Sequence, residues 1–421
     1  MAHPFLDSCR DWPARYPNRR AIGYLCTYVP EEILHAAGFV PVRLLKANDA
    51  IAHADAHLQS YCCALARSAL DQALAGKLGF LEGMVFPHTC DTIQCLADVW
   101  RVNFPGLFVT TIVQPVAVEG PHAQSYLVAE LRRFLRRLED RFGISVTDEA
   151  LGDGIRVHNR TRQLLGQLSL RREQVPATTY FDILRASTLM PKEEFNDLLA
   201  EMLLAMDSSL LAKNESTEKS CSSRFLTTEN AENTEKKVKI SARSACSAVK
   251  SLFFSGVKNE PRGENAFTTS KVTSRRPRLI LVGPYLDDPS LLKLIHGLGG
   301  QVVADDVCTG SRYFETPVSE DGDPVQALAQ RYLERRPCPC KAGSLPRRSE
   351  ALIGLAKVHQ AEGVVFVLPK FCDPHAWDYP PLAQALDKAG VPHLLLETEQ
   401  TVSGEQMRTR IQAFLEMISY Q

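Results

Sequence analysis

Short apolar runs alternate with longer amphipathic stretches along most of this 421-residue chain, and that alternation narrows the fold more than any other feature. Apolar runs rich in Val, Ile and Leu and bounded by turn residues are buried strands. The strands are expected at 21–25 (AIGYL), 39–45 (FVPVRLL), 83–86 (GMVF) and 107–113 (LFVTTIV), then at 278–283, 301–306, 363–368 and 393–397. Helices are expected between them at 30–37, 59–76, 91–101, 121–141, 147–168, 177–188 and 191–211. A second set is expected near 289–298, 323–335, 347–361, 378–389 and 404–419. Strand and helix in turn imply parallel sheets covered on both faces. The expected fold is therefore α/β: two doubly wound, flavodoxin/Rossmann-like lobes facing one another, with an added helical segment at the end of the first.

One segment breaks the pattern. Residues 214–276 hold 18 Ser/Thr, 12 Lys/Arg and 7 Asp/Glu in 63 positions and show no sustained apolar periodicity. Such a stretch cannot bury enough apolar surface to offset its ordering entropy. It is read as a disordered insertion, and Cys221 and Cys246 within it as non-ligands. The domain reading is an N-terminal lobe with helical extension at 1–213, the insertion at 214–276 and a C-terminal lobe at 277–421.

The formal charge of -1, from 48 Lys+Arg and 49 Asp+Glu, provides no global field for nucleic acid or an anionic membrane. No apolar run reaches the roughly 18 residues that span a bilayer, and the N-terminus lacks the apolar core of a secretion signal. The expected location is the cytoplasm. There the twelve cysteines are small buried residues, reactive thiols or metal ligands rather than disulfides.

Their positions are informative. Cys26 follows AIGYL, Cys90 follows GMVFPHT, Cys308 follows QVVADDV and Cys372 follows GVVFVLPKF, so four thiols fall at or just past the carboxyl ends of expected strands. Open α/β sheets bind ligands at that edge, where helix N-termini also favour thiolates. There is an internal echo: Gly83-Met-Val-Phe leads to Cys90-Asp91, and Gly363-Val-Val-Phe leads to Cys372-Asp373. Cys62 and Cys63 open the next helix; neighbours there point about 100° apart, so one faces the site, and Cys63 is favoured. The Pro-rich run Arg336-Pro-Cys338-Pro-Cys340-Lys341 is a loop able to present one or two more. The wide spacing argues against structural zinc, which uses closely spaced pairs. It leaves an iron–sulfur cluster between the lobes and buried core cysteines as the open alternatives.

Other features carry bland readings. His53, Asp55 and His57 suit an exposed turn. Arg132, Arg133, Arg136 and Arg137 suit a solvated helix face. Glu31 and Glu32, after Pro30 at the first helical position, complement the helix dipole. His88 and His375, close to Cys90 and Cys372, are either structural or able to tune a cluster. Glu31, Glu32 and His88 are the acid/base candidates. No phosphate-binding loop, dinucleotide fingerprint or serine-nucleophile motif is present.

At GYLCTYVPEEILHAAGFVPVRLL (23–45), LQSYCCALARSAL (58–70), LEGMVFPHTCDTIQCLADVWR (81–101) and EGVVFVLPKFCDPHAWDYP (362–380), the sequence resembles the 2-hydroxyacyl-CoA dehydratase subunit family. That family includes the D-component of 2-hydroxyglutaryl-CoA dehydratase, the B and C type subunits of benzoyl-CoA reductase and the double-cubane-cluster proteins. The resemblance implies a [4Fe-4S] cluster on Cys63, Cys90 and Cys372, with one iron open to a non-protein ligand. It also implies an acyl-CoA substrate and a separate ATP-dependent iron–sulfur activator that delivers one electron at a time. The electron turns the thioester carbonyl into a ketyl radical anion, which expels the 2-hydroxyl, or serves ring reduction. A homologous second subunit or a self-dimer is the implied assembly.

The chain departs from the simple three-cysteine pattern. Cys26, Cys308 and Cys338 or Cys340 sit where the double-cubane proteins carry a second set, which implies as the alternative an [8Fe-9S] double cubane and ATP-dependent reduction of small molecules. A further alternative is an electron-transfer subunit with no substrate of its own.

Overall fold

The computed structural model describes residues 9–47, 50–222, 276–286, 289–343, 345–398 and 404–420. All eight expected strands form. The first four are β1 (Ala21–Tyr24), β2 (Val40–Arg43), β3 (Leu81–Pro87) and β4 (Phe108–Ile112), in the order β2-β1-β3-β4. The second four are β5 (Arg278–Gly283), β6 (Gln301–Val307), β7 (Gly363–Pro369) and β8 (His393–Thr398), in the order β6-β5-β7-β8. Every pairing is parallel, with Tyr24 opposite Val85 in one sheet and Ile280 opposite Val364 in the other. The two sheets thus share one doubly wound order. Central strands are buried on both faces, which is why LILVG and GVVFVL read as unbroken apolar runs.

The helices follow in chain order: α1 (Trp12–Arg15), α2 (Glu31–Ala36), α3 (Ala64–Leu74), α4 (Asp91–Asn103), α5 (Ala123–Phe142), α6 (Asp148–Leu170), α7 (Ala177–Ala186) and α8 (Lys192–Ser222). After β5 come α9 (Ser290–Gly297), α10 (Ser311–Phe314), α11 (Pro324–Glu334), α12 (Leu345–Val358), α13 (Asp373–Lys388) and α14 (Gly404–Ser419). Three boundaries differ from expectation by five residues or more, the first being the start of α3 at Ala64 rather than 59. Helix α13 starts at Asp373, five positions before the expected 378, because Pro380 and Pro381 lie inside it rather than at its first turn. A proline there frees the carbonyl four residues back, and the carbonyl-bearing Ala376 and Trp377 are exposed to water. Helix α8 runs to Ser222, into the segment expected to be disordered, whose residues 223–275 lie outside the described residues together with Cys246.

The chain divides into two compact units, Met1–Phe195 with Arg275–Gln421, and Asn196–Ser274. The second contains the continuation of α8. Both sheets belong to the first unit, and their cores explain why. Val318, Val325, Leu328 and Tyr332, which precede β7 in sequence, pack in one cluster with Ile22, Tyr24, Val85 and Leu131 around the first sheet. In return Phe181 of α7 packs with Leu279, Leu281 and Val365 of the second sheet. Each such buried side chain contributes roughly 1.5–3 kcal/mol. The exchange ties the halves together. A buried ion network reinforces it: the Glu31 carboxylate accepts from the hydroxyls of Tyr24 and Tyr313 and pairs with Lys192 at 3.3 Å, while Glu32 pairs with Arg162.

Candidate metal centre

The carboxyl ends of β1, β2, β3, β5, β6 and β7 open on one cavity of about 580 Å³. Cys26, Cys63, Cys90, Cys308, Cys338, Cys340 and Cys372 all line it. All ten cysteines with described side chains are free.

The thiols form two groups. Cys63, Cys90 and Cys372 are the N-cap residues of α3, α4 and α13. Three helix starts thus point their positive ends at these sulfurs. Cys62 and Cys63 both precede α3 rather than opening it, and only Cys63 lines the cavity. Burial raises all three thiols above their ordinary range, Cys90 to about 12, against the pull of the first-turn amides of Ala66, Ile93 and His375.

Cys26, Cys308, Cys338 and Cys340 form the second group. Cys308 is raised by its hydrogen bond with Cys338 and by burial. For Cys338 the Cys308 bond pulls down, but the bond with Cys340 and burial take it to about 12. No helix start serves this group; cations do. Arg43, Arg335 and Lys341 are 2%, 3% and 4% exposed. Arg43 donates to the carbonyls of Leu25 at 3.2 Å and Cys308 at 2.8 Å. Arg335 donates to the Thr27 carbonyl at 2.9 Å, the Thr27 hydroxyl at 3.0 Å and the Arg312 carbonyl at 2.8 Å. Lys341 Nζ donates to the Pro115 carbonyl at 2.9 Å. Among the described residues none of the three meets a carboxylate. Arg312, which donates to Cys308 Sγ at 3.6 Å, is different: it clamps Asp306 through two nitrogens at 2.6 and 2.9 Å. Arg336 and Arg348 share Asp306 and bond Glu315 and Asp378 in turn.

Buried charge without a counter-ion costs several kcal/mol per group. Three such cations behind four thiols therefore call for an anionic occupant at this end, and a thiolate-bound iron–sulfur group is one. Among the described residues no three His, Cys, Asp or Glu converge closely enough for a single metal ion. A mononuclear site keeps its sulfurs within about 4 Å of one another; thiols ranged around a cavity suit a polynuclear group. The residues present fit the implied cofactor.

The acid/base candidates lie elsewhere. Glu31 and Glu32 are buried in the ion network and do not line the cavity. Burial alone would raise Glu31, but Lys192, His158 and Tyr313 outweigh it and hold the carboxyl at about 2; Arg162 likewise holds Glu32 far below the carboxylate range. Pro30 is the N-cap of α2 rather than its first residue. His88 bonds Gln94 at 3.1 Å, next to Thr89 on the cavity wall. His375 does line the cavity, and burial keeps it well below its ordinary value and neutral. His53, Asp55 and His57 lie on an exposed turn, with Asp55 paired to Arg67. Arg132, Arg133, Arg136 and Arg137 form an exposed face of α5. The sequence reading missed Arg43, Arg335 and Lys341. A lone arginine inside FVPVRLL was the available signal.

Fold and site define a class: α/β proteins with two like-ordered parallel sheets whose strand ends gather cysteines around one cavity. The family model described as 2-hydroxyglutaryl-CoA dehydratase, D-component, matches residues 26–262 and 235–418, and the chain belongs to that family. It is 28% identical to a benzoyl-CoA reductase subunit of Thauera aromatica, over 96% of this chain and 92% of that one. To the (R)-phenyllactyl-CoA dehydratase beta subunit of Clostridium sporogenes it is 25% identical, over 95% and 92%. To the (R)-2-hydroxyglutaryl-CoA dehydratase subunit beta of Acidaminococcus fermentans it is 26% identical, over 95% and 93%. Family members typically carry a [4Fe-4S] cluster. Among the described residues no helix is long and apolar enough to cross a membrane.

Proposed function

We propose that this chain is a cytoplasmic iron–sulfur subunit that holds two bridged cubanes, an [8Fe-9S] group, and reduces small molecules with electrons from a separate ATP-dependent iron–sulfur activator. Cys63, Cys90 and Cys372 would hold one cubane; Cys26, Cys308 and Cys338 would hold the other, with Cys340 alongside. The observation that carries this reading is the second thiol group with three buried, carboxylate-free cations behind it. When bound, such a group supplies one-electron reduction at low potential. The chain's own residues do the rest. Helix starts and cations offset thiolate charge at the two ends, and neutral His375 adds none. Phe371 and Trp377, 49% and 83% exposed, line the cavity and give it an apolar rim.

The names of the relatives favour a second reading: one cubane on Cys63, Cys90 and Cys372, an acyl-CoA thioester as substrate, and a homologous partner subunit. Iron and acid-labile sulfide on anaerobically purified protein, with Cys→Ser variants, separate the two. The first reading expects about eight irons per chain, falling to about four in both C63S and C308S. About four irons in the parent chain, unchanged in C308S but lost in C63S, would establish the second reading instead.

A further inference from the structure

The two ends of the cavity differ in charge, and the difference predicts where an added electron resides. At the Cys63, Cys90 and Cys372 end the positive contributions are helix starts, each worth about half a unit charge and confined to the first turn. Those turns carry Asp91 and Asp373, both on the cavity wall, which oppose the dipoles. Among the described residues the arginine and lysine on the cavity wall are Arg43 and Lys341, and both sit with the other thiol group. At the other end Arg312, Arg336 and Arg348 are matched by Asp306, Glu315 and Asp378, so that cluster is neutral as a whole. Arg43, Arg335 and Lys341 remain, hydrogen-bonded to carbonyls and a hydroxyl, with Arg335 and Lys341 also over the Tyr28 ring, and among the described residues they meet no carboxylate. The excess of positive potential lies on one side.

We infer that Arg43 and Arg335 make the Cys26, Cys308 and Cys338 end the seat of the first electron, acting as positioning residues that set its potential. The inference rests on the two-cubane reading. In the step, a low-potential one-electron donor, Ti(III) citrate in the assay, loses one electron and the group at this end gains it; no bond is made or broken. The arginines keep their charge at any working pH, so their effect is a fixed field and not a titration. Their anchoring to the carbonyls of Leu25, Thr27, Cys308 and Arg312 holds that field in place without neutralising it.

The test is an anaerobic, EPR-monitored redox titration of the full chain as R43M, R335M and R43K beside the parent, with iron counted in each. R43M and R335M should each make the first reduction at least tenfold less favourable, about 59 mV more negative for one electron, at unchanged iron. R43K, which keeps the charge, should titrate close to the parent. Because Arg335 also bridges Thr27 to Arg312, R43M with its R43K rescue decides the matter should R335M fail to accumulate. Eight irons with parental midpoints in R43M would overturn the inference alone. A parent chain with four irons and no cluster on Cys308 would remove the two-cubane reading and this inference with it.

Discussion

His158 offers a direct test of whether the Glu31 network is a structural anchor or an acid/base device. Its side chain is 2% exposed, Nδ1 lies 3.4 Å from the Glu31 carboxylate, and Nε2 has no hydrogen-bond partner. Burial lowers it from 6.5 to about 4, against the pull of Glu31 and Glu32. A base depressed in the folded state binds its proton more readily when unfolded, so its stabilisation is complete above the unfolded value and is lost as pH falls from 6.5 towards 4. Over the whole window the loss is about 3 kcal/mol at 1.36 kcal/mol per unit; between pH 7 and pH 5 it is about 2 kcal/mol. Glu31 and Glu32 add little in that interval, because an unfolded Glu takes up its proton only near 4.3. Urea unfolding followed by the fluorescence of the buried Trp12 and Trp100 at both pH values supplies the measurement. His158→Gln should lose about 2 kcal/mol less than the parent between pH 7 and pH 5, with the contribution of His375 cancelling in the difference. Equal losses in the two proteins would refute a buried, neutral His158 and reopen the network as a proton-handling site.

Two further outcomes follow from the same geometry. Arg162→Met strands the Glu32 carboxylate, 0% exposed, and should cost about 3–5 kcal/mol in urea unfolding, with most of it regained in the R162M/E32Q double variant; a fully additive cycle would count against the pair. Cys90 and Cys338 stand at about 12 without metal, so thiolates are scarce at neutral pH. Iron and sulfide loading should therefore quicken about tenfold per pH unit between pH 7 and pH 9, and a flat profile of visible absorbance against pH would contradict that.

What was legible in the sequence is what depends on near neighbours. Strands such as RLILVG and GVVFVL announce themselves because both faces of a central parallel strand are buried. The cysteines at strand ends were equally visible, and all seven proposed for the two groups line one cavity. What escaped depends on pairs distant in sequence. Glu31 and Glu32 looked like first-turn acids on a helix start. Their partners Tyr313 and Arg162 lie 282 and 130 residues away, and nothing local signals either. Nor does anything local announce the exchange in which Val325 and Leu328 complete the first sheet's core. Arg335 and Lys341 flank the Pro-Cys loop in plain view, but a cation is ordinary until its burial and its missing carboxylate are known.

The shared strand order explains why one thiol group is regular and the other is not. Each sheet places a cysteine at the N-cap of the helix after its third strand in sequence, Cys90 after β3 and Cys372 after β7. Each also places cysteines ahead of the helix that leads into that strand, Cys63 before α3 and Cys338 and Cys340 before α12. At the first two strands the correspondence breaks. In the first sheet Cys26 lies two residues past β1 and Arg43 ends β2, whereas in the second Tyr285 lies two residues past β5 and Cys308 follows β6. Arg43, at the position matching the end of β6, reaches across to the Cys308 carbonyl. The thiol of one sheet and the cation of the other thus occupy equivalent strand ends and meet at the cavity. A twofold-equivalent plan would place thiol opposite thiol and leave their negative charge unopposed when both are ionised. Breaking the equivalence at these two strands puts a fixed positive charge behind the second group, which no helix start serves.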